Sequence, residues 1–276
     1  MSTPASPRIA FIGGGNMAQA LITGLKQRAF AMQQITVIDP DAGKHQQLQD
    51  KLGVRTAAAL SEQALQADVI VLAVKPQQLK AVAESLAPLL RSQLVISVAA
   101  GIRTADLSRW LNGYRTLVRT MPNTPAQIQA GVTGVFALAE VNDAQRQLTD
   151  SLLQAAGEVV WLTDEAQLDA VTAISGSGPA YVFLLIEALT KAGVALGLDQ
   201  AQAQQLSIAT FKGASLLAAA SETPIATLRE QVTSKGGTTE QGLLSLNQHD
   251  IHAIMQHAAQ QAANRAKTLG DELGAQ

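Results

Sequence analysis

The sequence predicts an α/β fold in which a parallel-sheet half precedes an all-helical half. Three observations carry this. Arg8-Ile9-Ala10-Phe11-Ile12, a short apolar run, ends in Gly13-Gly14-Gly15-Asn16-Met17-Ala18 and passes at once into the helical spacing of Leu21, Ile22 and Leu25. Further apolar runs alternate with helical segments up to residue 163. Beyond it, β-type runs disappear and apolar helices take over. Strand, glycine turn and helix in succession build a Rossmann-type sheet with right-handed crossovers. The expected domains are a dinucleotide-binding Rossmann domain over 1–163 and an all-helical substrate and dimerisation domain over 164–276.

Composition narrows the function. A chain of 276 residues suffices for two cores. Apolar residues make up 47% and charged residues 15%, against an ordinary charged share of about 25%. Much apolar area must therefore be hidden, in part between subunits. A net charge of −2 offers no basic surface to nucleic acid or acidic lipid. The absence of cysteine excludes disulfides, thiol catalysis and thiolate metal sites, and fits a reducing compartment. The leader Met1 to Pro7 has neither a charged n-region nor an apolar h-region. The longest apolar run, Ala180 to Ile186, falls far short of a membrane span. A cytoplasmic protein with no membrane and no nucleic-acid partner is expected. His45, His249, His252 and His257 read as surface residues, with no metal site.

The fingerprint has the form G-x-G-x-x-A. Gly13 permits the tight turn, Gly15 lets the backbone approach a pyrophosphate, and Ala18 keeps the helix close to its strand. Asn16 and Met17 complete this pyrophosphate turn. The second strand, Ile35 to Ile38, ends in Asp39, about twenty residues further on. An acid there accepts the ribose hydroxyls of NAD and repels a 2′-phosphate, and in Asp39-Pro40-Asp41 it is equally a turn residue. Asp68 to Val74 is a fully buried strand stopped by Lys75-Pro76, with a helix over 77–90. Leu94 to Val98 ends in Ala99-Ala100-Gly101, and Tyr114 to Arg119 in the rigid Met121-Pro122-Asn123-Thr124-Pro125. Val132 to Leu138 and Val159 to Leu162 close the sheet around a helix over 143–156. Ligands bind past the carboxyl ends of parallel strands, so Gly13, Val74, Lys75, Pro76, Ala99, Ala100, Gly101 and Asn123 fall on the cofactor side. Lys75 reads either as a solvated loop lysine or as a cofactor or substrate contact.

Thr163-Asp164-Glu165 supplies a boundary with acids suited to a helix start. Helices are expected over 168–174, 179–196, 201–220 and 251–269, and Thr223 as N-cap of one starting at Pro224. The helix over 179–196 is apolar nearly all round, broken only by Glu187 and Lys191. Such a helix is buried on every side, and a helical domain this small achieves that with a second chain. Before it lies Ser175-Gly176-Ser177-Gly178-Pro179-Ala180-Tyr181. These glycines serve a helix connector, or a loop that lets substrate and nicotinamide approach the backbone. In Val232-Thr233-Ser234-Lys235-Gly236-Gly237-Thr238-Thr239, a Gly-Gly pair opens a further helix. Its N–H groups converge where the dipole is positive and the hydroxyls add donors, a cradle for a carboxylate. Read alone, the same residues are a flexible turn with a threonine N-cap.

These segments together resemble the pyrroline-5-carboxylate reductases, the enzymes that make proline. The resemblance rests on Ile12 to Ala18, Val74-Lys75-Pro76, Met121 to Pro125, Ser175 to Tyr181 and Val232 to Thr239, in the family's order and spacing over nearly the whole chain. The first is shared by many dehydrogenases; the last two together are particular to this family. Lys235 stands where many members have proline. The resemblance implies reduction of 1-pyrroline-5-carboxylate to L-proline by a hydride from NADPH or NADH. It implies that Ser234, Gly236, Gly237, Thr238 and Thr239, with Ser177 and Pro179, hold the substrate, Thr239 being the catalytic residue beside the ring nitrogen. It places Glu222 at the nicotinamide carboxamide. It also implies dimers with interlocked helical domains, commonly assembled into decameric rings of five dimers.

Hydride transfer to an imine needs a held pyrophosphate, a held carboxylate and a C=N carbon in line with the nicotinamide, so positioning and electrostatics supply most of the rate. Two other readings stand beside this one. A β-hydroxyacid or 6-phosphogluconate-type dehydrogenase shares the layout but uses a lysine soon after a glycine turn. Here the nearest after Gly178 is Lys191, roughly three and a half turns along the helix. A non-catalytic reductase-like nucleotide-binding protein has no need of both intact glycine and hydroxyl loops.

Overall fold

The computed structural model of the chain describes residues 6–275, so most of the leader lies outside the described residues. The strands β1 (Ile9–Ile12), β2 (Ile35–Ile38), β3 (Arg55–Ala57), β4 (Val69–Leu72), β5 (Leu94–Ser97), β6 (Leu117–Met121), β7 (Gly131–Ala137) and β8 (Gly157–Trp161) form one sheet in the order β3-β2-β1-β4-β5-β6-β7-β8. The helices α1 (Asn16–Gln27), α2 (Ala42–Leu52), α3 (Pro76–Leu86), α4 (Thr104–Trp110) and α5 (Asp143–Leu153) cover it. β1 to β6 pair in parallel, whereas β7 is antiparallel to β6. The link from Pro122 to Ala130 is too short for a crossover, and the chain reverses instead.

Alternation along β1 divides the core. Ile9 and Phe11 pack with Leu21 and Ile22 of α1 on one face. Ala10 and Ile12 pack with Leu79, Ala83 and Leu86 of α3 on the other. Close approach fixes α1, since a Cβ at Gly24 would lie 1.8 Å from the Ala155 carbonyl oxygen.

Contacts divide the chain into two compact units, one running to Ser177 and resuming at Gln261, the other Gly178–Gln260. This differs from a division at 163/164, and the first unit shows why. Glu165 accepts from Thr104 N–H at 2.7 Å and pairs with the buried Arg119 at 3.0 Å. Helix α6 (Gln167–Val171) packs so closely that a Cβ at Gly134 would lie 2.7 Å from Val171. A π-turn over Thr172–Gly176 follows, marked by Ser177 N–H to Thr172 O at 2.8 Å, where a plain helix was expected.

The second unit holds α7 (Gly178–Ala195), α8 (Gln200–Ala219), α9 (Ile225–Gln231), α10 (Thr238–Gln248) and the start of α11 (Ile251–Gly274). Helices α7 and α8 meet where Gly193 faces Ala203. Pro224, not Thr223, is the N-cap of α9, because its ring holds it in an extended conformation ahead of the first turn. Phe183, Leu184 and Leu216 are each more than 60% exposed in the single chain. The run Gln167–Ala195 is long and apolar enough to cross a membrane. This corrects the expectation that no run approaches a span. The π-turn joins α6 to α7 into one long run, and Glu187 and Lys191 pair across a turn within it.

Candidate active site

The carboxyl ends of β1, β2 and β4 open on a cavity of about 410 Å³. Gly13, Gly15, Asp39, Val74 and Lys75, all singled out in the sequence, line it. Gly13 is buried with φ +99°, and its N–H donates to Ile38 O at 2.8 Å. A Cβ there would lie 2.7 Å from the Ala73 carbonyl oxygen. At Gly15 a Cβ would meet no protein atom nearer than 4.0 Å. A turn clamped at its first glycine and bare at its third fits a pyrophosphate. Asn16 and Met17 open α1 behind Gly15, an N-cap with no side-chain bond.

Asp39 is buried at the end of β2. Its Oδ2 accepts from Gly14 N–H at 2.9 Å, its Oδ1 from Asp41 N–H at 3.0 Å, and Lys44 Nζ lies 3.1 Å from Oδ2. Burial pushes this carboxyl up, but the backbone N–H groups of Gly14 and Asp41 and the Lys44 ammonium outweigh it and hold the group below its ordinary value. Asp39 thus shapes the turn and also presents a charged carboxylate to the cavity. His45 is half-buried, and its Nε2 donates to the Asp39 carbonyl oxygen at 2.6 Å. That corrects its reading as a surface residue. The sequence concealed it because the contact is made to backbone.

The remaining residues of the nucleotide half sit on neighbouring strand ends. Pro76 is the first residue of α3, and Ala99, Ala100 and Gly101 follow β5. Gly101 has φ +81° and turns beneath Leu269 and Leu273. Asn123 follows β6 with both ends of its carboxamide engaged, Nδ2 donating to Ser175 O and Oδ1 accepting from Val132 N–H.

In the helical unit, the N-cap of α10 is Gly237 rather than a threonine, and Thr238 and Thr239 are its first two residues. A glycine cap supplies no side-chain acceptor, so first-turn N–H groups of α10 lack an intrahelical partner. Gly236 has φ +74°, and its N–H donates to Glu240 Oε2 at 2.7 Å. One donor of the anticipated cradle is therefore taken by the protein's own carboxylate. Gly237 N–H donates to Ser234 O at 3.0 Å, and a Cβ at Gly237 would lie 2.5 Å from Ser234 Oγ. The hydroxyl-bearing Ser234, Thr238 and Thr239 are exposed within the chain, as is Glu222. Ser177 ends the π-turn and Pro179 is the second residue of α7.

Residues 165–269 match the family model described as pyrroline-5-carboxylate reductase dimerisation. A pyrroline-5-carboxylate reductase of Pseudomonas aeruginosa is 45% identical over 271 residues, covering 98% of this chain and 99% of that protein. The chain belongs to the pyrroline-5-carboxylate reductase family. The structure of a pyrroline-5-carboxylate reductase from Coxiella burnetii superposes with a TM-score of 0.92 at 42% identity, over 96% of this chain and 98% of that one. Plasmodium falciparum pyrroline carboxylate reductase with NADP bound gives 0.83 at 28% identity, over 96% and 98%. Residues 8–101 also match a model described as NADP oxidoreductase, coenzyme F420-dependent, which covers only the nucleotide-binding part. In this member of the pyrroline-5-carboxylate reductase family, the cavity also takes in Ala58, Ala59 and Gln78. Two follow a strand of three residues and the third lies on a helix, so none carried a local signal.

Proposed function

We propose that this chain reduces 1-pyrroline-5-carboxylate to L-proline with a hydride from NADPH or NADH, the last step of proline formation. The reading is supported most by one conjunction. A chain matching a pyrroline-5-carboxylate reductase along 98% of its length keeps both a bare glycine turn and a glycine-capped, hydroxyl-rich helix start.

The reduced nicotinamide supplies the hydride. Gly13, Gly15, Asn16 and Met17 hold the pyrophosphate, and Asp39 takes the ribose hydroxyls. Val74, Lys75, Pro76, Ala99, Ala100, Gly101 and Asn123 border the nucleotide from neighbouring strand ends. Glu222 orients the carboxamide. Ser234, Gly236, Gly237 and Thr238 hold the substrate carboxylate, with Ser177 and Pro179 alongside. Thr239 accepts a hydrogen bond from the iminium N–H. As hydride adds to the C=N carbon, the π pair moves onto nitrogen, which keeps its proton and becomes a neutral amine. No protein base gives or takes a proton in that step, and a neutral hydroxyl serves both states.

The protein is a homo-oligomer through its helical half. A second copy, rather than lipid, covers the exposed face of α7 and accounts for the apolar run Gln167–Ala195. Assembly of dimers into a decamer, a cytoplasmic location, and the lack of membrane and nucleic-acid partners complete the reading. Oxidation of NADPH or NADH by the purified protein with pyrroline-5-carboxylate is the test. No oxidation of either nucleotide overturns it.

A further inference from the structure

On the basis of the reductase reading, we propose that Lys44 admits the 2′-phosphate of NADPH by leaving Asp39 for it. The Asp39–Lys44 pair then lets one cavity take both nucleotides. The charged side chains lining the cavity are Asp39, Asp41, Lys44 and Lys75. Lys75 follows β4, the other three follow β2, and β1 lies between those strands. The acid ending β2 is the group that meets the ribose. The ribose end therefore carries two carboxylates and one ammonium.

Lys44 Nζ lies 3.1 Å and 3.4 Å from the two oxygens of Asp39 and 3.9 Å from Asp41 Oδ2. With NADH this arrangement can stay as it is, since the ribose hydroxyls bring no charge and Lys44 balances that of Asp39. With NADPH, a phosphate of about two negative charges arrives beside two carboxylates. It needs a cation in contact. The Lys44 side chain is 42% exposed, lies in the first turn of α2, and has a flexible four-carbon stem that reorients with no backbone change. Asp39 tolerates its departure, because Gly14 and Asp41 still donate to the carboxylate. His45 offers no substitute, its Nε2 being engaged at the Asp39 carbonyl. The lysine is thus replaceable at the carboxylate and not at the phosphate.

Lys44→Met keeps the stem and removes the charge. Calorimetric titration of the full-length protein with 2′,5′-ADP and 5′-AMP, without substrate, reads the phosphate contact apart from the reaction. Lys44→Met is expected to weaken 2′,5′-ADP relative to 5′-AMP by about 10- to 100-fold, the range for one lost charge-assisted hydrogen bond. In turnover, the NADPH to NADH ratio of kcat/KM falls by a similar factor, and Lys44→Arg restores most of it. An unchanged ratio overturns the proposal, as does an equal loss for both ligands. If the unaltered protein binds the two adenosine phosphates as expected yet oxidises neither nucleotide with pyrroline-5-carboxylate, the reductase reading fails and the Lys44 contact stands.

Discussion

The carboxamide of Asn123 donates through Nδ2 to the carbonyl oxygen of Ser175 at 3.1 Å. Its Oδ1 accepts from Val132 N–H at 3.0 Å, so one side chain ties the end of β6 to β7 and to the π-turn. Asn123→Asp keeps the acceptor, loses the donor and sets a carboxylate against a carbonyl. The expected loss is about 1–3 kcal/mol of stability. Because Ser177 and Pro179 follow directly, kcat should fall more than the KM for nucleotide rises. Thermal melts and steady-state kinetics check this, and an unchanged melting temperature would show the strut to be idle.

The two outer glycines of the nucleotide turn should separate cleanly. Gly13→Ala forces a left-handed alanine and a clash with the Ala73 carbonyl, so the folded protein itself should lose about 1–3 kcal/mol. Gly15→Ala meets only open space. Its melting temperature without ligand should stay at the wild-type value, while calorimetry with NADPH shows weakened binding. Equal stability loss in the two variants would contradict the assignment of that space to the pyrophosphate.

Asp39→Asn preserves an acceptor for Gly14 N–H and removes the charge. Repulsion of the 2′-phosphate is relieved, so the NADPH to NADH ratio of kcat/KM should rise. The carboxyl is held below its ordinary value of 3.8 in the folded state. Its stabilisation is therefore fully present above that value and is lost as the pH falls through the lowered one. As the pH falls below about 3.8, Asp39→Asn should lose less stability than the wild type. Parallel acid titrations followed by circular dichroism decide it.

Thr239→Ala should lower kcat/KM for pyrroline-5-carboxylate by about 10- to 1,000-fold, from one hydrogen bond up to one preorganised transition-state contact. Thr239→Ser keeps the hydroxyl in the first turn of α10 and should keep most activity. Nucleotide affinity without substrate should hardly change in either. Full activity in Thr239→Ala would return the loop to the role of a structural turn.

The nucleotide half is readable because its central strands β1, β4 and β5 are buried along their whole length and each ends in turn residues. β1 with Gly13 and Gly15 is the clearest case. What stayed hidden depends on partners far along the chain. Helix α4 has no local side-chain cap, and Thr104 N–H is met by Glu165, 61 residues on. Strand β3 is three residues paired only with β2, too short for any periodicity. The two protein partners of Asn123, 9 and 52 residues away, cannot be seen in sequence. Of the two readings of the start of α10, the Gly-Gly opening agrees with the Gly237 cap and the threonine cap does not, because the position of the first turn depends on the backbone of Gly236.

The return of the chain to the first unit from Gln261 onward sets an order on biosynthesis. Arg109 of α4 donates to the Gly274 carbonyl, and a Cβ at Gly270 would lie 2.9 Å from the Gly101 carbonyl oxygen. Gly274 is synthesised 165 residues after its partner Arg109. The parallel strands up to Met121 can pair while translation continues, but the ground beneath Gly101 and α4 stays uncovered until the returning segment from Gln261 has been made. A nascent chain halted within α10 would hold all eight strands of the sheet and still present a raw apolar seam to chaperones.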